Sequence, residues 1–479
     1  MQRWKNIRIR KRHRWILIPL LIIAIGLAVA RQYVDVMKGD DPSKDPLRRI
    51  RERGYLIALT DRNSLNYFIY RGEPMGFQLA LLHSFADHLD IPLKVIVSDD
   101  ISKLYYYLDM NVGDVLAFNL PVTSEGKHKV EFTEPLGETR LVLVQRKVTG
   151  KNSSRHARLI RIPSDFEGDT VYMQRNIFAK PVLAHFLRKA GRNMVLIEET
   201  MNNSVGLVQM VAKGKIDYAI CDENIATILK RVYPALDDEM VLTGFYDYGW
   251  AVSASSGSLG KNLNEWIGSV KKENELKQTY LTYYDNPAVP GYFTSDFFSL
   301  KGKKISPFDP MIRKLSRIIN WDWRLLASLI YEESNFQPNV VSSRNATGLM
   351  QLMPQNADKY GMDSTSSPSQ QLVAGVKFLK WIDNQVPGEI YDPKERICFI
   401  LAAYNAGIGR ILTAREKALK YGKDPNKWTG NVGYYLSRRS LKNPTPADTG
   451  TDLSANSTAG RFVENILERY QHYRNNIPE

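Results

Sequence analysis

The hydrophobic pattern of the chain changes character three times along its length. Sixteen residues without a charge come first, Trp15 to Ala30 (WILIPLLIIAIGLAVA). From 46 to 288, short apolar runs alternate with amphipathic stretches, as in YLIAL (55–59), FQLALLHSFADHL (77–89), LKVIV (93–97) and KIDYAIC (215–221) ahead of ENIATILKRV. Strands alternating with helices predict an α/β domain with largely parallel sheets. DNPAVPGYFTSDFF, rich in Pro, Gly and aromatics, breaks the alternation, and 289–304 reads as a linker. From 305 to 479 nearly every segment has helical period, including PMIRKLSRIIN, WRLLASLIYEE, QQLVAGVKFLKWIDNQ and RFVENILERYQHYR. This predicts an all-α domain, interrupted by a polar loop at 441–458.

Length supports this division, because 479 residues exceed what one core sustains. A composition 43% hydrophobic and 24% charged is that of a folded globular chain. The net charge of +14 is less telling than it looks, since seven basic residues (Arg3, Lys5, Arg8, Arg10, Lys11, Arg12, Arg14) precede the apolar run. The remainder is only mildly basic, which argues against a nucleic-acid partner. There is no zinc-type Cys/His spacing, no phosphate-binding glycine loop and no RNA-binding aromatic motif, and no cofactor or metal is expected. Cys221 and Cys398 lie far apart in apolar segments and read as buried free thiols.

The basic flank followed by an apolar run directs the chain out of the cytoplasm. The run is slightly short for a ~30 Å hydrocarbon core and ends Ala28-Val29-Ala30, a signal-peptidase pattern. Segment 1–31 is thus a retained anchor or a cleaved signal, with 32–45 a polar linker. Either way the rest is expected on the periplasmic side of the cell envelope, membrane-associated. No cysteine stands directly after the run, so no lipid anchor is expected.

One stretch raises a chemical question. In WRLLASLIYEES, Glu332 and Glu333 point about 100° apart on a helix. Glu333 shares its face with Leu326, Leu329 and Ile330, and Glu332 shares its face with Leu325 and Ser328. Glu333 therefore continues the apolar stripe, where burial raises a carboxyl pKa and suits a general acid. A solvated helix end or a structural ion pair are the plain alternatives from this helix alone.

GEPMGFQLALLHSFADHLDIPLKVIV followed by NVGDVLAFNLPVTSEGKHKVEFTEPL resembles the periplasmic solute-binding proteins of amino-acid transporters. The matching pieces are Gly76-Phe77, Gly113-Asp114, the Thr123 turn and Phe132 to Pro135, with IDYAICDENIAT as the second-lobe strand ending in Asp222. The resemblance implies two lobes around a cleft, with crossings near 138–146 and 242–252. It also implies an arginine three residues after Thr123 that grips a ligand carboxylate, and an aspartate at 222 that binds an amino group. Here Gly126 stands at the arginine position, with Lys127 beside it, while Asp222 is retained. Ordinary free amino-acid binding is therefore doubtful, and a module binding a muropeptide or an amino-acid-like ligand is favoured over a transport receptor. Tyr67 and Phe68 read either as cleft aromatics or as core.

LLASLIYEESNFQPNVVSSRNATGLMQLMP, then AAYNAGIGRI, then RFVENILERY resembles the catalytic domain of lytic transglycosylases, related in fold to goose-type lysozyme. The resemblance implies that Glu333 is the single catalytic acid and that Ser334 closes the helix and steadies its carboxyl. Gly348, Leu349, Met350 and Gln351 would line the sugar cleft, Gln351 facing an acetamido group, with Tyr404 and Asn405 facing the acid. Phe462 departs from the tyrosine usual at that position. The implied reaction cleaves peptidoglycan strands between N-acetylmuramic acid and N-acetylglucosamine and closes a 1,6-anhydro ring, without a cofactor. A hydrolytic muramidase and a non-catalytic cell-wall receptor are the alternatives. The whole is expected to be a two-lobed α/β domain joined to an all-α, lysozyme-like one.

Overall fold

The structure, a computed structural model, describes residues 45–478 apart from 62–64, 99, 148–158, 177, 201, 300–302 and 438–457. The expected anchor or signal segment, nearly all of the 32–45 linker and nearly all of the 441–458 loop lie outside the described residues. Among the described residues, no helix is long and apolar enough to cross a membrane.

Two separate sheets build the first region. One runs in the order Leu93–Val97, Leu56–Thr60, Val115–Pro121, Tyr246–Ser253, Val130–Phe132, with Gly137–Thr139 also paired to Tyr246–Ser253. Its first three strands are parallel. The other runs Met194–Glu199, Asp169–Gln174, Tyr218–Asp222, Leu141–Arg146, Leu236–Val241, again parallel through its first three strands. Near-continuous apolar strands such as LIALT suit sheets covered by helices on both faces. The chain passes from one sheet to the other between Thr139 and Leu141, and returns between Val241 and Tyr246. Both passages fall within the windows expected for hinge crossings.

The expected linker at 289–304 needs correction. Val289–Thr294 form a helix, and Val289, Phe293 and Phe298 are buried in the core of the first region. The Ser299 N–H donates to Ile69 O at 2.9 Å, and Tyr70 and Phe298 form an antiparallel bridge. Aromatics in a Pro/Gly-rich segment serve here as core, so composition alone misread them.

The second region is all-helical apart from short bridges. Trp323–Ser334 runs through its centre, capped by Asp322, whose carboxylate accepts the Arg324 N–H at 2.9 Å. Its middle is buried on every side: Leu325, Leu326, Ser328, Leu329 and Ile330 are at most 1% exposed. It packs on Asp309–Ser316 and on the C-terminal helix Thr458–Asn476.

That C-terminal helix also joins the two regions. The Tyr473 hydroxyl donates to Gly72 O at 2.5 Å, and Asn475 Nδ2 donates to Val95 O at 2.9 Å. Tyr67 Oη lies 2.6 Å from His472 Nδ1. Ile69, from the first region, is buried in the helical core.

Candidate active site

Glu333 sits one residue from the end of the central helix, where the chain turns sharply. Asn335 and Phe336 both adopt positive φ, 50° and 59°. A left-handed Phe is a strained conformation, held here by burial of its ring edge-on to Tyr331. Burial raises the Glu333 carboxyl to a pKa of about 8, and the Glu332 charge adds to the rise. Among the described residues, Glu333 has neither a cation nor a hydrogen-bond partner. A carboxyl in that setting is largely protonated at neutral pH and able to give up its proton.

Glu332 has a different environment. Its carboxylate accepts from Asn465 Nδ2 at 2.8 Å and from Arg469 at 3.1 Å. The Arg469 guanidinium also lies over the Tyr331 ring, 4.0 Å from its centre. Glu332 is thus a structural ion pair between the central and C-terminal helices, a role the sequence left unassigned.

The segment 348–351 is tied to the helix end that carries Glu333. Gly348 has φ of +79°, and a Cβ there would meet Gln371 Oε1 at 2.6 Å. Leu349 and Met350 are buried, and Met350 takes the space that a Cβ on Gly375 of the helix Pro368–Gln385 would fill. The Leu349 N–H donates to Gln371 Oε1 at 2.9 Å. Ser334 does not steady the Glu333 carboxyl. Its hydroxyl instead faces two backbone acceptors, Leu349 O at 2.8 Å and Ile330 O at 3.1 Å, and pins the loop to the helix end. Gln351, also at positive φ (46°), donates its amide to Val340 O and Gly348 O at 3.0 and 2.9 Å. Only its Oε1 remains to receive a substrate N–H.

Tyr404, near the end of Pro393–Ala406, donates its hydroxyl proton to Met350 O at 2.5 Å. Burial holds this phenol far above its ordinary pKa, and the Glu333 carboxyl pushes it further, so it stays neutral beside the acid. Asn405 is exposed, and Phe462 is buried in the helical core. The structure therefore brings Glu333, Ser334, Gly348, Leu349, Met350, Gln351 and Tyr404 into one cluster. Sequence reasoning missed Gln371, Asn465 and Arg469, whose contacts are made across distant segments.

The interlobe cleft of the first region is lined by residues from both sheets, among them Asp61, Asn119, Gln174, Asp222 and Tyr246. Burial raises Asp222 to about 6, partly offset by the Tyr246 hydroxyl, which donates to it at 2.9 Å. Among the described lining residues two are acids and none is lysine or arginine. Gly126 is packed so that a Cβ would lie 2.9 Å from the Phe132 ring, and Lys127 is exposed. Thr123 is outside the lining; its hydroxyl accepts the Gly126 N–H at 3.0 Å within its own turn. Tyr67 and Phe68 are fully buried away from the cleft, Tyr67 against His472 and Phe68 against Phe298. Of the four residues expected in this cleft, Asp222 is the one that lines it. Cys221 lies beside it, its thiol held far above the usual range by burial, and burial pushes Cys398 up to about 12. Both are free and inert as nucleophiles.

Comparison with known proteins agrees with this division. Residues 56–286 match bacterial extracellular solute-binding proteins, family 3, and residues 310–428 match the transglycosylase SLT domain. A membrane-bound lytic murein transglycosylase F of Desulfosudis oleivorans is 28% identical, covering 96% of this chain and 98% of its own length. One of the same name from Pseudomonas fluorescens is 29% identical over 95% and 90%, and one from Aliivibrio fischeri 27% over 96% and 90%. An ancestral arginine-binding protein bound to arginine is 19% identical with a TM-score of 0.41, covering 48% of this chain and 99% of its own. The chain thus joins a match to family 3 solute-binding proteins to a match to the transglycosylase SLT domain, and is similar nearly end to end to proteins named membrane-bound lytic murein transglycosylase F.

Proposed function

We propose that the protein cleaves peptidoglycan glycan strands at the bond between N-acetylmuramic acid and N-acetylglucosamine, leaving 1,6-anhydromuramic ends. The observation that carries this reading is the half-buried Glu333 carboxyl, with its pKa of about 8 and no cation beside it among the described residues. Protonated, it donates to the glycosidic oxygen as an oxocarbenium-like state develops. As the resulting anion it takes the proton of the sugar's own 6-hydroxyl, and the 1,6 ring closes. A single group serving first as acid and then as base needs a pKa near ambient pH. A hydrolase of the usual kind needs a second carboxylate to activate water or attack the sugar. Among the described residues, the one carboxylate that bears electrostatically on Glu333 is Glu332, and it is held by Asn465 and Arg469.

In this reading Gly348 to Gln351 form the wall against which the sugar lies, Gln351 Oε1 accepts from an acetamido N–H, and exposed Asn405 contacts substrate. Tyr404 and Ser334 hold that wall in place through Met350 O and Leu349 O. The cleft of the first domain takes a muropeptide or amino-acid-like ligand through its ammonium group at Asp222, and so serves regulation or positioning rather than transport. The relatives' printed name supports a membrane-associated place in the envelope. The first domain, 46–288 extended by the packed segment Val289–Thr294 and Phe298, precedes a catalytic one at 305–479.

Mass spectrometry of products released from purified sacculi tests the reaction. Anhydro ends support it, reducing ends identify a muramidase, and no release identifies a receptor. Glu333→Gln with full activity would overturn the assignment of the acid.

A further inference from the structure

We propose that His83, Glu468 and His472 form a site for one divalent transition-metal ion, of the zinc type, that clamps the two domains together. Glu468 and His472 are four residues apart on the C-terminal helix and so lie on one face of it. His83 approaches from Phe77–Leu89 of the first domain. His83 Nε2 and His472 Nε2 lie 3.8 and 3.7 Å from Glu468 Oε1, and donor atoms of all three residues fall within 4.8 Å of one another.

The distances decide between a metal site and a hydrogen-bonded trio. At 3.7 and 3.8 Å the nitrogens are too far from Glu468 Oε1 for good hydrogen bonds. Bonds of about 2.0–2.1 Å in tetrahedral geometry separate ligand atoms by roughly 3.3 Å, so each histidine–glutamate pair needs to close by about half an ångström, and the two imidazoles by no more than about 1.5 Å, to share an ion. His83 and Glu468 are partly exposed and free to make that movement, and they leave an entry path. Two imidazoles and one carboxylate suit zinc, cobalt or nickel better than calcium or magnesium, and a water completes the four-coordinate set.

The surroundings fit a ligating histidine. His472 Nδ1 lies 2.6 Å from Tyr67 Oη; when Nδ1–H donates to that oxygen, the Nε2 lone pair faces Glu468. The nearby cation, Arg469, is already engaged by Glu332. A metal here would fix the helix that carries Asn465 and Arg469 against the first domain. The ligands come from opposite ends of the chain, so no local spacing announces them.

The test uses the full chain, purified in detergent, stripped with a chelator and titrated with Co2+. One equivalent should develop the visible absorption of four-coordinate cobalt, be displaced by Zn2+, and raise the melting temperature as a ligand selective for the folded state does. His83→Ala and Glu468→Gln should weaken binding about tenfold or more and abolish the band. They should leave the metal-free melting temperature nearly unchanged, since both side chains are partly exposed. Absence of the band in the wild-type chain overturns the proposal, as does unaltered binding in both variants. A melting temperature that responds to pH at these residues but not to metal also overturns it.

Discussion

The Arg469 guanidinium is 3.1 Å from the Glu332 carboxylate, while Glu333, the next residue, has no cation among the described residues. Two identical side chains on one helix turn thus meet opposite surroundings, because the C-terminal helix presents a cation and an amide to Glu332 alone. Glu332→Gln removes the partner of Arg469 and one of the two causes of the raised Glu333 pKa. It should keep most of the activity, shift the alkaline limb of the pH–rate profile downward, and cost about 1 kcal/mol of stability. A pH–rate profile beside a denaturant melt checks both.

Glu333 also makes stability depend on pH. Its pKa is higher in the folded chain, about 8, than the ordinary 4.5, so between these values the folded state binds more protons. Stability should therefore be greatest at low pH with respect to this group, fall as pH rises through the folded value, and level off above it. Glu333→Gln removes that slope. Its melting temperature should exceed that of the wild type by a margin that grows from pH 5 to pH 8 or so, reflecting up to a few kcal/mol. A margin constant with pH would remove the buried-acid reading. Activity of the same variant should drop by at least about a hundredfold.

Gly348→Ala tests the wall behind the acid. Alanine at a φ of +79° is strained, and its Cβ would press on Gln371 Oε1. That amide is not free to yield, because it also bonds Leu349 N, Pro338 O and Ser366 O. A loss of about 2–4 kcal/mol is expected, read as a lower denaturant midpoint. Activity should fall further than stability explains, since the Leu349 and Met350 carbonyls that bind Ser334 and Tyr404 shift together.

Asp222 sets the pH response of the first cleft. With a pKa raised by burial to about 6, it is mostly neutral below that value and a carboxylate above it. Binding of a ligand with a free ammonium group should strengthen as pH rises through 6, and Asp222→Asn should weaken it about tenfold and flatten the dependence. Calorimetry with muropeptides and with N-acetylated counterparts measures this directly. Equal binding of the acetylated ligands would exclude the role given to Asp222.

The alternation of strand and helix, the switch to helical period near 305 and the two crossings between lobes were all legible in the chain. The first two follow from local periodicity, which each segment carries within itself, and the crossings from the resemblance to solute-binding proteins. The motif GLMQ near Glu333 and the tyrosine of AAYNAG were legible too, because the resemblance rests on short contiguous runs. Helical phase, by contrast, favoured Glu333 as the inward carboxyl for an incomplete reason. Leu325 and Ser328, on the Glu332 face, are as buried as Leu326, Leu329 and Ile330 on the other. A helix buried on all sides has no outward face, so phase could not separate the two glutamates.

The separation came from residues more than a hundred positions away, Asn465 and Arg469, which satisfy one carboxylate and not the other. The same holds for Tyr67, which composition allowed in the cleft and which packing placed against His472 in the joint. It holds for Ser334, whose hydroxyl turned to Leu349 O instead of its neighbour's carboxyl. The sequence by itself determined which elements form and which short motifs lie on them, since these depend on neighbours along the chain. Which side chains are charged, which are spent on holding a loop, and which remain for substrate was decided by tertiary structure, because a carboxyl's proton affinity depends on burial and on partners that only folding brings near.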